Sequence, residues 1–228
     1  MAVQHVNPET GVVQPIAAIR DMTAGAGGLL FVDCAQSAGK APLPDADLIA
    51  VSAHKLGGPP GVGALLVRDL AVLAPLGGAQ EQGYRPGTEN LPAAAGFAAA
   101  LEADRAGAWL ALQRGWRARL EAGMAAQGGL TVGGGERLAT IGAYRLPGFG
   151  AAAALVRLDL AGIAVSAGSA CSSGSIRASH VLTAMGLGAD AAGEVIRVSF
   201  GWSTTEAEVT RFLDAWTGLA REARTRAA

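Results

Sequence analysis

The chain is poor in cysteine and histidine and lacks long hydrophobic runs, and each scarcity excludes a class of protein. Its 228 residues contain two cysteines, too few and too far apart for the disulfide framework of a small secreted domain. The three histidines do not have zinc-ligand spacing, so we expect no metal site. No apolar run is long enough to cross a membrane, and the first residues lack a signal-peptide pattern. We therefore expect a cytoplasmic protein.

Charge excludes two further partners and draws attention to lysine. The formal net charge is −1, and no stretch mixes basic with aromatic residues, so we expect neither nucleic acid nor an anionic membrane as a partner. Lysine occurs only at Lys40 and Lys55, among 18 basic residues. Arginine stays protonated, whereas lysine can lose its proton and act as a nucleophile. Each lysine is therefore a candidate for a role that arginine cannot fill.

Three short apolar runs in the first part predict an α/β fold with a mostly parallel sheet. They span residues 29–32, 48–51 and 63–67, bounded by polar residues, glycine and proline. Asp33 follows the first run and Ser52 follows the second. Both should lie at the carboxyl ends of neighbouring strands, which is the edge where open α/β sheets bind ligands.

The second part predicts a smaller α+β domain. Phe97, Leu101, Leu112 and Leu120 mark one or two amphipathic helices. Strands are predicted at residues 138–146 and 194–200, with a helix at 152–160. A last helix should begin at a capping box formed by Thr205 and Glu208. We place the large domain at residues 1–95 and the small domain at 96–228.

The stretch "SAHK" around Lys55 suggests Schiff-base chemistry. A lysine can bind the aldehyde of pyridoxal phosphate (PLP), whose pyridine nitrogen then pairs with an acid, a role that fits Asp33. Ser52 and His54 could bind the phosphate, and an ion pair between Lys55 and Asp33 is the alternative. Gly39-Lys40 does not complete a phosphate-binding loop, because Ala41 is neither serine nor threonine. We therefore predict that Lys40 is a surface charge.

Arg197 and Cys171 are the remaining candidates. Arg197 lies inside the strand "EVIRVSF", where it would pair with a substrate carboxylate or with an internal acid. Cys171 lies in "SAGSACSSGS", whose small residues predict a mobile loop that brings a thiolate to a substrate. An ordinary exposed thiol is the alternative. Cys34, beside a buried strand, is predicted to be an inert core residue.

These motifs occur together, in one order, in a known family. The chain resembles the PLP-dependent cysteine desulfurases of the NifS/IscS type, in the class V aminotransferase superfamily. The resemblance runs nearly end to end, through "HVNPETGVVQPI", "FVDCAQSAGKAPL", "AVSAHKLGGPPGVGALLVR", "GGAQEQGYRPGTEN", "LDLAGIAVSAGSACSSGSIRASHVLTAMG" and "IRVSFGWSTTEAEV". It implies the large domain of PLP fold type I, in incomplete form.

The resemblance implies a role for each candidate residue. Lys55 would hold the cofactor as a Schiff base, and Cys171 would be the nucleophile. The other implied cofactor contacts are Asp33 at the pyridine nitrogen, Gln36 at the ring hydroxyl, Ser52 and His54 at the phosphate, and Asn7 nearby. Arg197, with Asn7, would hold the substrate carboxylate. Thr88 is similar to a threonine that reaches the cofactor of the partner subunit, which implies a homodimer.

The implied reaction takes sulfur from L-cysteine, leaves L-alanine and places a persulfide on Cys171. A sulfur-acceptor protein, in iron–sulfur cluster assembly or another sulfur-transfer pathway, would then receive the sulfur. Complete family members also have an N-terminal segment with a phosphate-binding loop and a ring-stacking histidine, so we expect a truncated chain. The alternatives are a non-catalytic remnant or partner-binding module, and another class V enzyme such as a selenocysteine lyase or aminotransferase.

Overall fold

A computed structural model describes residues 1–103, 106–167 and 179–227. The chain divides into two compact units. The first comprises residues 1–6 and 14–106, and the second comprises residues 7–13 and 107–228. The short segment 7–13 therefore belongs to the second unit although it lies near the start of the chain.

The first unit contains a four-stranded sheet in the order β1-β2-β3-β4. Its elements are β1 (Ala2–Gln4), α1 (Ile16–Gly25), β2 (Phe31–Asp33), β3 (Leu48–Ser52), β4 (Gly63–Val67) and α2 (Leu91–Glu102). The first three strands are parallel and β4 is antiparallel to β3. This arrangement confirms the predicted α/β class with a mostly parallel sheet. The reversal at β4 follows from the short connection after β3, since a parallel crossover needs a dozen or more residues.

A small apolar core holds this sheet together. Leu30 and Val32 are fully buried and pack with Ile16 of α1 and with Ile49 of β3. The first strand was predicted at residues 29–32. The observed strand, β2, begins two residues later, at Phe31. Leu29 is exposed, so the apolar run begins before the strand does.

The second unit contains an antiparallel four-stranded sheet in the order β5-β6-β8-β7. Its elements are α3 (Ala106–Ala125), which starts at the boundary, β5 (Leu130–Val132), β6 (Ile141–Arg145), α4 (Ala151–Leu160), β7 (Ser166–Ala167), α5 (His180–Ala184), α6 (Ala189–Ala192), β8 (Val195–Ser199) and α7 (Glu206–Ala227). The predicted strands and helix of this half are confirmed within a few residues at their ends.

Helix α7 and strand β6 contribute large buried side chains to the core of the second unit. Val209, Phe212, Trp216 and Leu219 are buried along one face of α7 and pack in one cluster with Tyr144 of β6. The predicted capping box is confirmed, because the Glu208 carboxylate accepts hydrogen bonds from the backbone and the hydroxyl of Thr205. These bonds lower the pKa of Glu208. None of the helices in the described ranges is long and apolar enough to span a bilayer.

Candidate active site

Two polar residues follow the parallel strands of the first unit at the same sheet edge. Asp33 is the last residue of β2 and pairs in register with Ala50 of β3. Ser52 ends β3 two residues further along. The prediction that both residues lie at the carboxyl ends of neighbouring strands is confirmed. This edge is therefore the place in the first unit where a ligand would bind.

A single 3₁₀ turn directly after β3 presents His54 and Lys55. The turn spans Ala53–Lys55, and its first residue, Ala53, is fully buried. The Ala53 carbonyl accepts hydrogen bonds from the backbone of Leu56 and Gly58, which fixes the turn on the sheet. His54 and Lys55 are both exposed, and the Ser52 hydroxyl lies 2.8 Å from His54 Nδ1. A phosphate could receive hydrogen bonds from this Ser–His pair.

Asp33 begins a tight turn rather than pairing with a cation. Its Oδ1 accepts the backbone N–H of Ala35 at 2.8 Å. Within the described residues no lysine or arginine lies within ion-pair distance of this carboxylate, so the alternative of a Lys55–Asp33 ion pair does not hold there. Within residues 1–103, 106–167 and 179–227, its second carboxylate oxygen accepts no hydrogen bond, so it could accept one from another partner. Gln36, half-buried, follows in the same turn.

Lys40 closes that turn, and the prediction that it is a surface charge is wrong. The side chain is half-buried, and its Nζ donates a hydrogen bond to the Gln36 carbonyl at 3.3 Å. Burial, and then the positive charge of Lys55, lower the pKa of Lys40 to about 8. Periodicity could not reveal this environment, because it arises from a turn that folds back towards the chain after β3. The scarcity of lysine was the available signal.

Cys34 is confirmed as a buried core residue. Its side chain has no exposed surface, and burial raises the pKa of its thiol. Its backbone carbonyl accepts hydrogen bonds from Ser37 and Ala38, which shapes the turn that carries Gln36. The Ser37 hydroxyl lies 2.9 Å from His5 Nδ1. The side chains of His5, Cys34 and Ser37 are thus buried together next to the end of β2.

Thr88 lies in the loop before α2 and is exposed. No hydrogen bond in the described structure links it to Asp33, Ser52 or Lys55. Its implied contact with a partner subunit's cofactor stays a prediction.

Asn7 belongs to the second unit and is buried in a tight turn. Its side-chain oxygen accepts the backbone N–H groups of Glu9 and Thr10, each at 3.0 Å, and also the Thr10 hydroxyl at 3.1 Å. The turn thereby fixes the residues 7–10. Among the described residues the Asn7 amide nitrogen has no hydrogen-bond partner in these contacts, so it could donate to a ligand.

Arg197 projects from β8 and is held by neutral groups. It donates to the Pro8 carbonyl at 3.2 Å and to the Ser166 hydroxyl at 3.1 Å. In the part of the chain that the structure describes, no carboxylate lies within 4.0 Å of its guanidinium. The alternative of an internal salt bridge is therefore not seen there. A half-buried guanidinium held by a carbonyl and a hydroxyl keeps its charge for an external anion.

Cys171 lies outside the described residues, but the residue that starts the following helix is well defined. Ser179 is buried and caps α5 by accepting the backbone N–H of Leu182 at 3.1 Å. Its hydroxyl also donates to the buried Glu9 carboxylate at 2.5 Å. The turn at Asn7 thus contacts both Arg197 and the N-terminus of α5. Sequence reasoning missed Glu9 and Ser179, because 170 residues separate them.

The residues at the sheet edge of the first unit fit PLP by their chemistry. Lys55 offers an exposed amine without a hydrogen-bond or ion-pair partner among the described residues. Asp33 offers a carboxylate oxygen to a protonated pyridine nitrogen, and Gln36 lies in the intervening turn. The Ser52–His54 pair offers donors to a phosphate. An amine for the aldehyde, an acid for the ring and donors for the phosphate are the groups that such a cofactor requires.

The chain is similar to known proteins over most of its length. The aminotransferase class-V family model matches residues 1–212. The cysteine desulfurase IscS of Anaeromyxobacter sp. (strain Fw109-5) is 41% identical over 229 residues, which cover 92% of this chain and 54% of that protein. The cysteine desulfurase of Gluconacetobacter diazotrophicus is 38% identical, over 96% of this chain and 57% of that protein.

The fold agrees as well. The solved structure of a NifS-like protein from Rickettsia africae ESF-5 matches with a TM-score of 0.84 at 29% identity, over 96% of this chain and 61% of that chain. The mixed sheet of the first unit thus corresponds to the fold of NifS-like proteins. The chain spans about half the length of the curated relatives it matches.

Proposed function

Since the chain belongs to the aminotransferase class-V family, we propose that it carries the catalytic residues of a PLP-dependent cysteine desulfurase. The reaction would convert L-cysteine to L-alanine and leave the sulfur on the protein. The observation that carries the proposal is the sheet edge of the first unit, where Lys55 follows the Ser52–His54 pair and Asp33 ends the neighbouring strand. Relatives of this chain that are named cysteine desulfurase support the choice of reaction.

The proposed cofactor contacts all lie in the first unit. Lys55 would hold the aldehyde carbon, Asp33 would accept a hydrogen bond from the protonated ring nitrogen, and Gln36 would bond the ring hydroxyl. Ser52 and His54 would bind the phosphate. When bound, the cofactor would supply an electron-withdrawing ring that stabilises negative charge on the substrate. Asp33 would maintain that property by keeping the ring nitrogen protonated.

Residues of the second unit would bind the substrate. Arg197 would bind its carboxylate in a bidentate fork, and the Pro8 carbonyl and Ser166 hydroxyl would orient the guanidinium. The Asn7 amide nitrogen would donate to the same carboxylate or to the cofactor. These contacts would leave the substrate thiol as the group that reacts.

Cys171 would be the nucleophile in the sulfur-transfer step. Its thiolate attacks the substrate sulfur, and the sulfur–carbon bond of cysteine breaks as a sulfur–sulfur bond forms. The electron pair of the broken bond stays with the carbon, which takes up a proton and becomes the methyl group of alanine. The sulfur stays on Cys171 as a persulfide. A loop of small residues suits a thiol that must meet a substrate and later an acceptor.

Partners and location form part of the proposal. A sulfur-acceptor protein would remove the persulfide sulfur, for iron–sulfur cluster assembly or another transfer. Thr88 would reach the cofactor of a second copy, which makes the protein a homodimer. We assign the protein to the cytoplasm, where thiols such as those of Cys34 and Cys171 stay reduced.

Persulfide mapping tests the nucleophile, and the chain supplies its own control. The purified chain is incubated with PLP and L-cysteine, and its thiols are then alkylated and located by mass spectrometry. We expect a persulfide on Cys171 and its loss in Cys171→Ala. The matched variant Cys34→Ala removes the buried thiol and should keep the label. A persulfide that survives in Cys171→Ala, or that forms only on Cys34, would contradict the assignment.

A further inference from the structure

The turn at residues 7–10 is fixed on one side by contacts of the backbone that follows it. The Gly11 carbonyl accepts the backbone N–H of Leu138 at 2.8 Å. Gly11, with φ +76°, lies so close to β6 that a Cβ on it would be 2.3 Å from the Ile141 carbonyl oxygen. All these residues belong to the second unit. The chain therefore has little freedom to move where it leaves the turn.

The other side of the turn is held by a buried carboxylate. Glu9 is buried, and its Oε2 accepts the hydroxyl of the buried Ser179 at 2.5 Å. No lysine or arginine of the described ranges lies within 4.0 Å of this carboxylate. A carboxylate is rarely buried without a cation, because its charge is costly to remove from water. The bond from Ser179 therefore offsets part of that cost, and its loss should let Glu9 move.

The peptide unit that Glu9 shares with Pro8 contacts Arg197. The Pro8 carbonyl accepts a hydrogen bond from Arg197 Nη1 at 3.2 Å. The N–H on the other side of that peptide bond is the Glu9 N–H, which donates to Asn7 Oδ1 at 3.0 Å. Because a peptide unit is planar, the position of Glu9 sets the direction of the Pro8 carbonyl. Glu9 forms no ion pair with Arg197, so it acts on the guanidinium through this backbone contact.

We propose that Glu9 is a positioning residue for Arg197: it fixes the Pro8 carbonyl and thereby the direction in which the guanidinium meets a substrate carboxylate. The bond from Ser179 holds Glu9 in that position. The inference rests on the role of Arg197 in the proposed function. A bidentate contact needs two parallel hydrogen bonds, so it is sensitive to the direction of the guanidinium. Loss of the Glu9 side chain should therefore reduce the affinity of Arg197 for carboxylates.

Arginine labelling tests the proposal without the cofactor. The chain is treated with phenylglyoxal in increasing concentrations of propionate, and modification of Arg197 is quantified by mass spectrometry. Propionate should protect Arg197, whereas the neutral propionamide should not. Glu9→Ala should need about three- to tenfold more propionate for the same protection, the factor that loss of one hydrogen bond of ordinary strength produces.

Matched variants separate loss of the bond from loss of the charge. Glu9→Gln keeps an oxygen that can accept the Ser179 hydroxyl, so its protection should stay within about twofold of the unchanged chain. Ser179→Ala removes the donor and should weaken protection about as much as Glu9→Ala. The double variant should be no weaker than either single variant, because both changes break the same bond.

Two controls belong to the same experiment. Glu136→Ala removes an exposed carboxylate of the second unit and should leave protection unchanged. Arg117 is buried in that unit, so it should resist labelling in every variant that folds. If Glu9→Ala exposes Arg117, then Ser179→Ala takes its place in the comparison.

The PLP-loaded chain gives a second readout that a merely structural role would not produce. L-Alanine carries an amine and a carboxylate, whereas ethylamine lacks the carboxylate. Glu9→Ala should raise the L-alanine concentration that gives half of the change in cofactor absorbance by about three- to tenfold. The corresponding ethylamine concentration should stay the same. Equal shifts for the two amines would mean that Glu9 only stabilises the fold, and would overturn the proposal.

The outcomes distinguish this proposal from the proposed function. Unchanged protection in Glu9→Ala, or a Glu9→Gln variant as weak as Glu9→Ala, would overturn the role of Glu9 and leave the cofactor site untouched. The expected protection pattern without trapping of PLP at Lys55 would overturn the proposed function and keep the role of Glu9. Absence of protection in the unchanged chain would overturn both the carboxylate role of Arg197 and this inference.

Discussion

Gly142 occupies a site in β6 where any side chain should destabilise the second unit. A Cβ on this residue would lie 2.5 Å from Tyr144 Cζ and 2.6 Å from Arg117 Nη1. Neither neighbour can move away freely. The Tyr144 ring is buried and its hydroxyl donates to Glu121 at 3.1 Å, while Arg117 Nε donates to the Ala139 carbonyl at 2.8 Å. Gly142→Ala must therefore displace a ring or a guanidinium that already has partners.

The size of the effect follows from two costs. Overpacking of a well-filled core costs about 1–3 kcal/mol. Loss of the Tyr144–Glu121 hydrogen bond adds about 1 kcal/mol or more. We expect Gly142→Ala to lower the free energy of unfolding of the second unit by about 2–4 kcal/mol.

Tryptophan fluorescence during urea unfolding gives the measurement. All four tryptophans lie in residues 107–228, so the signal reports on the second unit. Gly115→Ala is the matched control, because Gly115 is exposed within α3 and a Cβ there would have no neighbour within 4 Å. That change should stabilise the helix by about 0.5–1 kcal/mol. An unchanged urea midpoint for Gly142→Ala would refute the packing argument.

Three further predictions concern single contacts. Hydrogen bonds and charge from Arg137, together with the charge of Arg117, outweigh burial and lower the pKa of Glu121. Glu121 therefore stabilises the fold above its unfolded value of about 4.3 and loses that effect as the pH falls through its folded value. Glu121→Gln should cost about 1–3 kcal/mol at neutral pH and flatten the acid side of the stability profile, measured by urea unfolding across pH; an unchanged profile would contradict the assignment. Ser179→Ala removes a helix cap and the hydrogen bond to Glu9, so it should lower the free energy of unfolding by about 1–2 kcal/mol. It should also speed amide hydrogen exchange at the start of α5. The control Ser203→Ala, at an exposed position, should leave that exchange unchanged. Thr205→Ala should cost about 1 kcal/mol through loss of the capping box of α7, measured as thermal unfolding, and an unchanged melting temperature would contradict it.

Local patterns in the sequence predicted the elements that local physics determines. The apolar runs at β3 and β4, the strand around Arg197 and the capping box at Thr205 each depend on a few neighbouring residues. The sheet edge with Asp33 and Ser52 also followed, because parallel strands end on the same side. The family resemblance added the roles of these residues, and the comparisons confirm the family itself.

The helices of the middle segment show where local patterns fail. Phe97 and Leu120 are buried as predicted, but Leu101 and Leu112 are exposed. The pattern predicted one or two amphipathic helices and did not locate a break between them. In the structure α2 ends at Glu102 and α3 begins at Ala106, so the register breaks between them.

Long-range contacts were beyond the reach of sequence reasoning. The segment 7–13 joins the second unit, where Glu9 meets Ser179 and the Pro8 carbonyl meets Arg197. Lys40 approaches Lys55 only because two turns pack together. Neither arrangement leaves a periodic signal, since each depends on how separate segments fold against one another.

Reductive trapping of the cofactor tests the central claim most directly. The chain is mixed with PLP, reduced with borohydride, digested and mapped by mass spectrometry. We predict one dominant pyridoxyl adduct, on Lys55, which is absent from Lys55→Ala and retained in Lys40→Arg. An adduct shared evenly among Lys55, Lys40 and the N-terminal amine, or no adduct at Lys55, would contradict the claim that this sheet edge holds the cofactor.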